Sequence, residues 1–162
     1  MSLDRRVTRD LAARLIGEEL RQLERFEQLL EREAQALRSD DVEAIGTAGA
    51  ERQACSSELL RIDEERREAC RMLGFGDGRD AFRRLLDACD LGGELALRWH
   101  SSLSLVQRCR EANDRNGAMV TAKLRRVESL LAAMRGDEPS ARMYGAGGRH
   151  PAPARSVPLG LA

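Results

Sequence analysis

Residues 38–46, RSDDVEAIG, stand between two long amphipathic runs, and the reading of this short stretch decides the fold. Ser39, Asp40 and Asp41 interrupt the periodicity with three small polar residues. Asp40 followed by Glu43 has the spacing of a capping box, in which each side chain satisfies a free backbone N–H at a helix start. One helix therefore ends near Arg38 and another begins almost at once. A connection this short forces the two antiparallel.

Outward from that turn, the pattern on both sides is helical. The first run, over 3–38, carries an apolar stripe of Ile16, Leu20, Leu23, Leu30, Ala34 and Leu37, flanked by Phe26 and Leu29 and interrupted by Glu27. Spacings of three and four place these side chains on one face. The second run reaches Leu73 with a seam of Ile45, Ala48, Arg52, Cys55, Leu59, Ile62, Arg66, Ala69 and Leu73. Ala48 and Gly49 are expected to allow close approach near its start. Arg52 and Arg66 depart from an apolar seam and are expected either to snorkel at its edge or to pair with Glu27. The stretch GFGDG (74–78) ends this helix, since glycine past a helix end accepts the left-handed conformation a C-cap needs. Asp77 is then placed to cap a short helix over 79–90, bearing Phe82, Leu85, Leu86 and Cys89. The last helix runs over 94–135 with the seam Trp99, Leu103, Val106, Arg110, Asn113, Gly117, Val120, Leu124, Val127, Leu131 and Met134. At 1.5 Å per residue it is about 60 Å long, which implies an elongated molecule. The expected fold is all-α: an elongated antiparallel helical bundle or coiled coil of three long helices plus one short helix. The bundle domain occupies 1–136. Residues 137–162 hold all four prolines and no helical periodicity, and are expected to be a flexible, disordered C-terminal tail.

Composition agrees. Of 162 residues, 42% are hydrophobic, 33% charged and 3% aromatic, a balance suited to Leu/Ala-rich helices. The 27 basic and 27 acidic residues cancel, so the basic surplus of a nucleic-acid binder is missing. No run approaches the ~18 apolar residues of a membrane span, and MSLDRRVTRD lacks the apolar core of a signal peptide, so the expectation is a cytoplasmic protein without membrane insertion. Cys55, Cys70, Cys89 and Cys109 have no CxxC pairing and no nearby histidine cluster, and read as small, reduced core residues rather than a metal site. No metal and no cofactor is expected.

The polar interruption EANDRNGAMV (111–120) carries the functional question. Arg110, Asn113 and Gly117 fall on successive seam positions. Glycine inside a helix costs about 1 kcal/mol relative to alanine, and a buried amide must find partners. One reading is a register device, with asparagine fixing alignment and glycine admitting a neighbouring helix. The other is an open groove, polar at one end and apolar from Met119 to Leu131 at the other, that receives a partner's helix.

Asn113-Asp114-Arg115-Asn116-Gly117, with Met119 and Val120 behind, resembles the N-x-x-N-G-x-hydrophobic-hydrophobic signature of the FlgN family of flagellar export chaperones. Met143-Tyr144-Gly145 is similar to the tyrosine-glycine motif of that family's tail, and the order of elements also agrees. Residues after Arg149 have no counterpart in the resemblance. The resemblance implies binding of the C-terminal segments of the hook-filament junction proteins FlgK and FlgL, protection from premature association, and delivery to the flagellar type III export gate. It implies a client-binding set of Asn113, Asn116, Gly117, Met119, Val120, Leu124, Val127 and Leu131. Tyr144 and Gly145 are implied to dock on the export gate protein FlhA. An open seam is also compatible with a homodimer.

Competing chemistries find less support. A histidine phosphotransfer bundle needs a companion Lys or Gly near its histidine; His100 stands near a helix start with Lys123 far along the chain, and His150 lies in the tail. Ser101, Ser102 and Ser104 lack an elbow motif. GFGDG joins two helices rather than a strand and a helix, unlike a dinucleotide fingerprint. Glu64 and Glu65 lie in a charge run that reads as a solvated face. The chain is therefore not expected to be an enzyme. The rival class is a structural coiled-coil adaptor, or a helical type III export chaperone with a different client.

Overall fold

A computed structural model describes residues 4–136, which form four helices and no strand. Helix α1 spans Arg5–Ser39, α2 Val42–Met72, α3 Ala81–Cys89 and α4 Glu94–Met134. The expected flexible tail, with Tyr144 and Gly145, lies outside the described residues.

The deciding turn is tighter than a capping box. Asp40 is the C-cap of α1, in the left-handed conformation at φ 57°, which aspartate tolerates better than most side chains. Asp41 is the N-cap of α2, and its carboxylate accepts from the Ala44 backbone N–H at 3.0 Å. The box expected on Asp40 and Glu43 is thus corrected. The cap stands one residue later, and three positions on from it is Ala44, which has no carboxylate to return the bond.

Helix α1 is the central element, packed by α2 on one side and α4 on another. Leu23, Phe26, Leu29 and Leu30 meet Cys55 and Leu59 of α2 and Leu105, Val106 and Cys109 of α4. Towards the opposite end, Ala12 and Ile16 meet Cys70, the α3 residues Phe82, Leu85, Leu86 and Cys89, and Leu95. The short helix therefore closes one end of the bundle with its whole apolar face. Burial of each such leucine or phenylalanine contributes about 1.5–3 kcal/mol.

Two arginines hold α2 to its neighbours, but not through Glu27. Buried Arg66 donates to Glu19 of α1 at 2.8 Å, pairs with Asp63, and lies 4.6 Å from the Trp99 ring centre and 5.6 Å from that of Phe82. Arg52 lies 3.4 Å from Glu33 and donates to Asn113 of α4 at 3.1 Å. Glu27 is taken by Arg108 of α4 at 2.8 Å. Asp77, expected to cap α3, pairs with Arg71 at 3.3 Å, while Asp80 holds the N-cap position without a side-chain capping bond, its carboxylate lying 3.4 Å from Arg83. Gly49 has nothing within 4 Å of where a Cβ would stand, so the close approach expected there is absent.

Helices α1 and α4 run parallel in one constant register. Arg9 pairs with Glu94, Glu27 with Arg108, the Leu30 carbonyl with Asn116, and Asp40 with Lys123, at sequence separations of 85, 81, 86 and 83. The turn that ends α1 therefore lies level with Lys123. Leu124 to Met134 continue past it, an overhang of about 16 Å at 1.5 Å per residue.

Candidate functional site

The seam of α4 is rotated from the one expected. Leu95, Ser102, Leu105, Val106, Cys109 and Asn116 are its buried residues, whereas Leu103 and Gly117 are exposed. The expected seam ran through Leu103, Arg110, Asn113 and Gly117, whereas the contact with Leu23, Phe26, Leu29 and Leu30 of α1 is made by Leu105, Val106 and Cys109, with Ser102 and Asn116 buried on the same face.

The eight candidate client-binding residues divide at this seam. Asn116 is buried; its amide donates to the Leu30 carbonyl at 2.8 Å and to Glu33 at 2.9 Å. Asn113 is half-buried and accepts from Arg52. Both asparagines thus face the other two long helices, and Glu33 joins them into one network through Arg52. Gly117 faces away, with nothing within 4 Å of a Cβ built on it, so no helix closes on this glycine. Met119 is half-buried, and Val120, Leu124, Val127 and Leu131 are exposed.

The exposed residues form a continuous surface. Val120, Leu124, Val127, Leu130, Leu131 and Met134 recur at intervals of three and four and carry the α1-facing side of α4 beyond the point where α1 stops. Their exposure runs from 40% at Val120 to 84% at Met134. Leu130 and Met134 belong to this surface yet were not among the expected site residues. The signal was present in their spacing from Val127 and Leu131, but nothing in the sequence states that α1 ends short of them.

The base of the overhang is pinned by charge. Lys123 pairs with Asp40 and holds that carboxyl below its usual range, chiefly through the hydrogen bond. Further back, Arg108 lowers Glu27 in the same way. Beneath it, burial pushes the Cys109 thiol up to about 12, so this cysteine is an inert packing group. All four cysteines are free and buried. Among the described residues no cluster of His, Cys, Asp and Glu is arranged to hold a metal ion, and no helix is long and apolar enough to cross a membrane.

An apolar helix end standing clear of its own bundle suits an interaction protein, and comparison with known families agrees. The FlgN protein family model matches residues 10–152. The chain belongs to the FlgN family. Members are flagellar export chaperones that bind hook-associated proteins. The match includes the NxxNG stretch of α4 and continues through Tyr144 and Gly145. No curated protein and no solved structure matches the chain.

Proposed function

We propose that this FlgN protein binds the C-terminal segments of the junction proteins FlgK and FlgL on the overhanging face of α4 and delivers them to the export gate. The observation that carries the reading is the stripe from Val120 to Met134, which continues the bundle's contact face with no helix of the described chain upon it. A client helix exposed before assembly is an aggregation hazard, and an apolar groove of this kind is a place to hold it. Met119, Val120, Leu124, Val127 and Leu131 form the client face, and Gly117, turned away from α1, borders it. Asn113 and Asn116 fix the register that determines how much of α4 protrudes. Tyr144 and Gly145 dock on the gate protein FlhA, a second contact that orders on binding and so stays transient. The cytoplasm, where clients await export, is the compartment this role requires.

The test is a Val127→Asp, Leu131→Asp double variant. Both positions are exposed, so helicity and melting should match the parent while client-segment binding falls by at least tenfold. Undiminished binding by a folded variant refutes the placement.

A further inference from the structure

The overhang is charged in one sense. Between Lys123 and Arg135, Lys123, Arg125, Arg126 and Arg135 stand against Glu128 alone, although the whole chain is neutral. Lys123 is committed to Asp40. Among the described residues, neither Arg126 nor Arg135 lies within salt-bridge distance of a carboxylate. Their positions border the apolar stripe. Arg126 is one turn before Leu130 and Arg135 one turn after Leu131, so each edge carries a guanidinium outside any ion pair with a described carboxylate, although Arg126 adds to the effect of Lys123 in lowering Asp40. The acidic pair Asp137 and Glu138 follows Arg135 closely in sequence and tempers its charge, whereas Arg126 lies about 15 Å back along the axis from Gly136, beyond the ~8 Å Debye length at physiological salt.

We infer that the overhang takes an acidic amphipathic helix, one whose apolar stripe is bordered by Asp or Glu side chains that meet Arg126 and Arg135. This rests on the client-binding reading and adds the chemistry of the occupant. An apolar face alone accepts any amphipathic helix of suitable spacing; the flanking charges discriminate, because like charges brought together at a partly desolvated edge are repelled. The same charges steer the encounter at low ionic strength. A second copy of this chain is a poorer occupant, since its own stripe carries the same basic borders.

The experiment uses the full chain and two synthetic amphipathic peptides with identical leucine faces, one bordered by Glu and the other by Lys. Each exposed ion pair gives about a factor of two, so the pairs with Arg126 and Arg135 should make the Glu peptide bind roughly fourfold tighter at low salt. The gap should close in molar salt, and Arg126→Glu with Arg135→Glu should reverse the preference. Both arginines are exposed, so these variants should fold normally. Equal or tighter binding of the Lys peptide overturns the inference, as does a preference indifferent to the two arginines. Overhang-dependent binding to phosphatidylglycerol vesicles in place of either peptide also overturns it, in favour of a membrane surface. Binding of both peptides and of the client segments without charge preference sinks this inference alone. Failure of both peptides and all client segments to bind sinks the client-binding reading with it.

Discussion

Asn116 and Gly117 are adjacent in one motif, and substitution by alanine should move stability in opposite directions. Asn116 is buried and donates to the Leu30 carbonyl and to Glu33. The Leu30 carbonyl has its own place in the α1 ladder, so loss of the side-chain bond there costs little. The bond to the Glu33 carboxylate is charge-assisted and contributes about 1.5–3 kcal/mol. Arg52, 3.4 Å from Glu33, leaves that carboxylate one partner, which favours the low end. The small cavity left by the amide adds to the loss. Asn116→Ala should therefore destabilise by about 2 kcal/mol, lowering Tm by about 6–10 °C for a folded region of this size. Gly117→Ala should do the reverse. A Cβ there meets nothing within 4 Å, and alanine in an exposed helix interior is favoured by about 0.5–1 kcal/mol. Thermal and urea melts followed by circular dichroism read both. A destabilising Gly117→Ala would mean that a helix packs on the glycine after all. An Asn116→Ala variant within about 0.5 kcal/mol of the parent would mean that the amide network contributes no net stability.

Further expectations concern the cysteines and the tail. Cys109 should resist iodoacetamide at pH 8 in the native protein and react once guanidinium unfolds it, because burial holds its thiol protonated up to about 12. Its folded-state pKa lies above the ordinary thiol value, so the protonated form is the one the fold favours. Stability is full below pH ~9 and falls as the pH rises beyond it, which alkaline melts should record. Tyr144→Ala should leave client affinity unchanged while lowering binding to the export gate protein. Equal loss of both would argue against separate docking sites.

Much of the architecture was legible because the signals were local. The turn at residues 39–41, the stripe of α1 and the seam of α2 depend on spacing and on short polar residues, and each stands where the periodicity placed it. Four features were not legible, and all but the cap are long-range. The cap moved from Asp40 to Asp41 because Asp40 was needed in left-handed conformation to reverse the chain. The partners of Arg52 and Arg66 depend on how three helices are set side by side, which no single-helix pattern encodes. The rotation of α4 shows in its contact with α1, where Ser102, Cys109 and Asn116 are buried beside Leu105 and Val106. That rotation turned Asn116 inward and Gly117 outward, whereas Leu124, Val127 and Leu131 stay open because α1 ends short of them. The length of the overhang depends on the register between α1 and α4, set by contacts some 80 residues apart in sequence.

The most direct test of the client-binding account is calorimetric titration of the full chain with the C-terminal segments of FlgK and FlgL across a range of temperatures. The account predicts saturable one-to-one binding with a negative heat-capacity change, the mark of apolar surface leaving water along α4. Absence of binding to both segments by a well-folded sample would contradict it, and would leave α4 as the projecting arm of a structural adaptor.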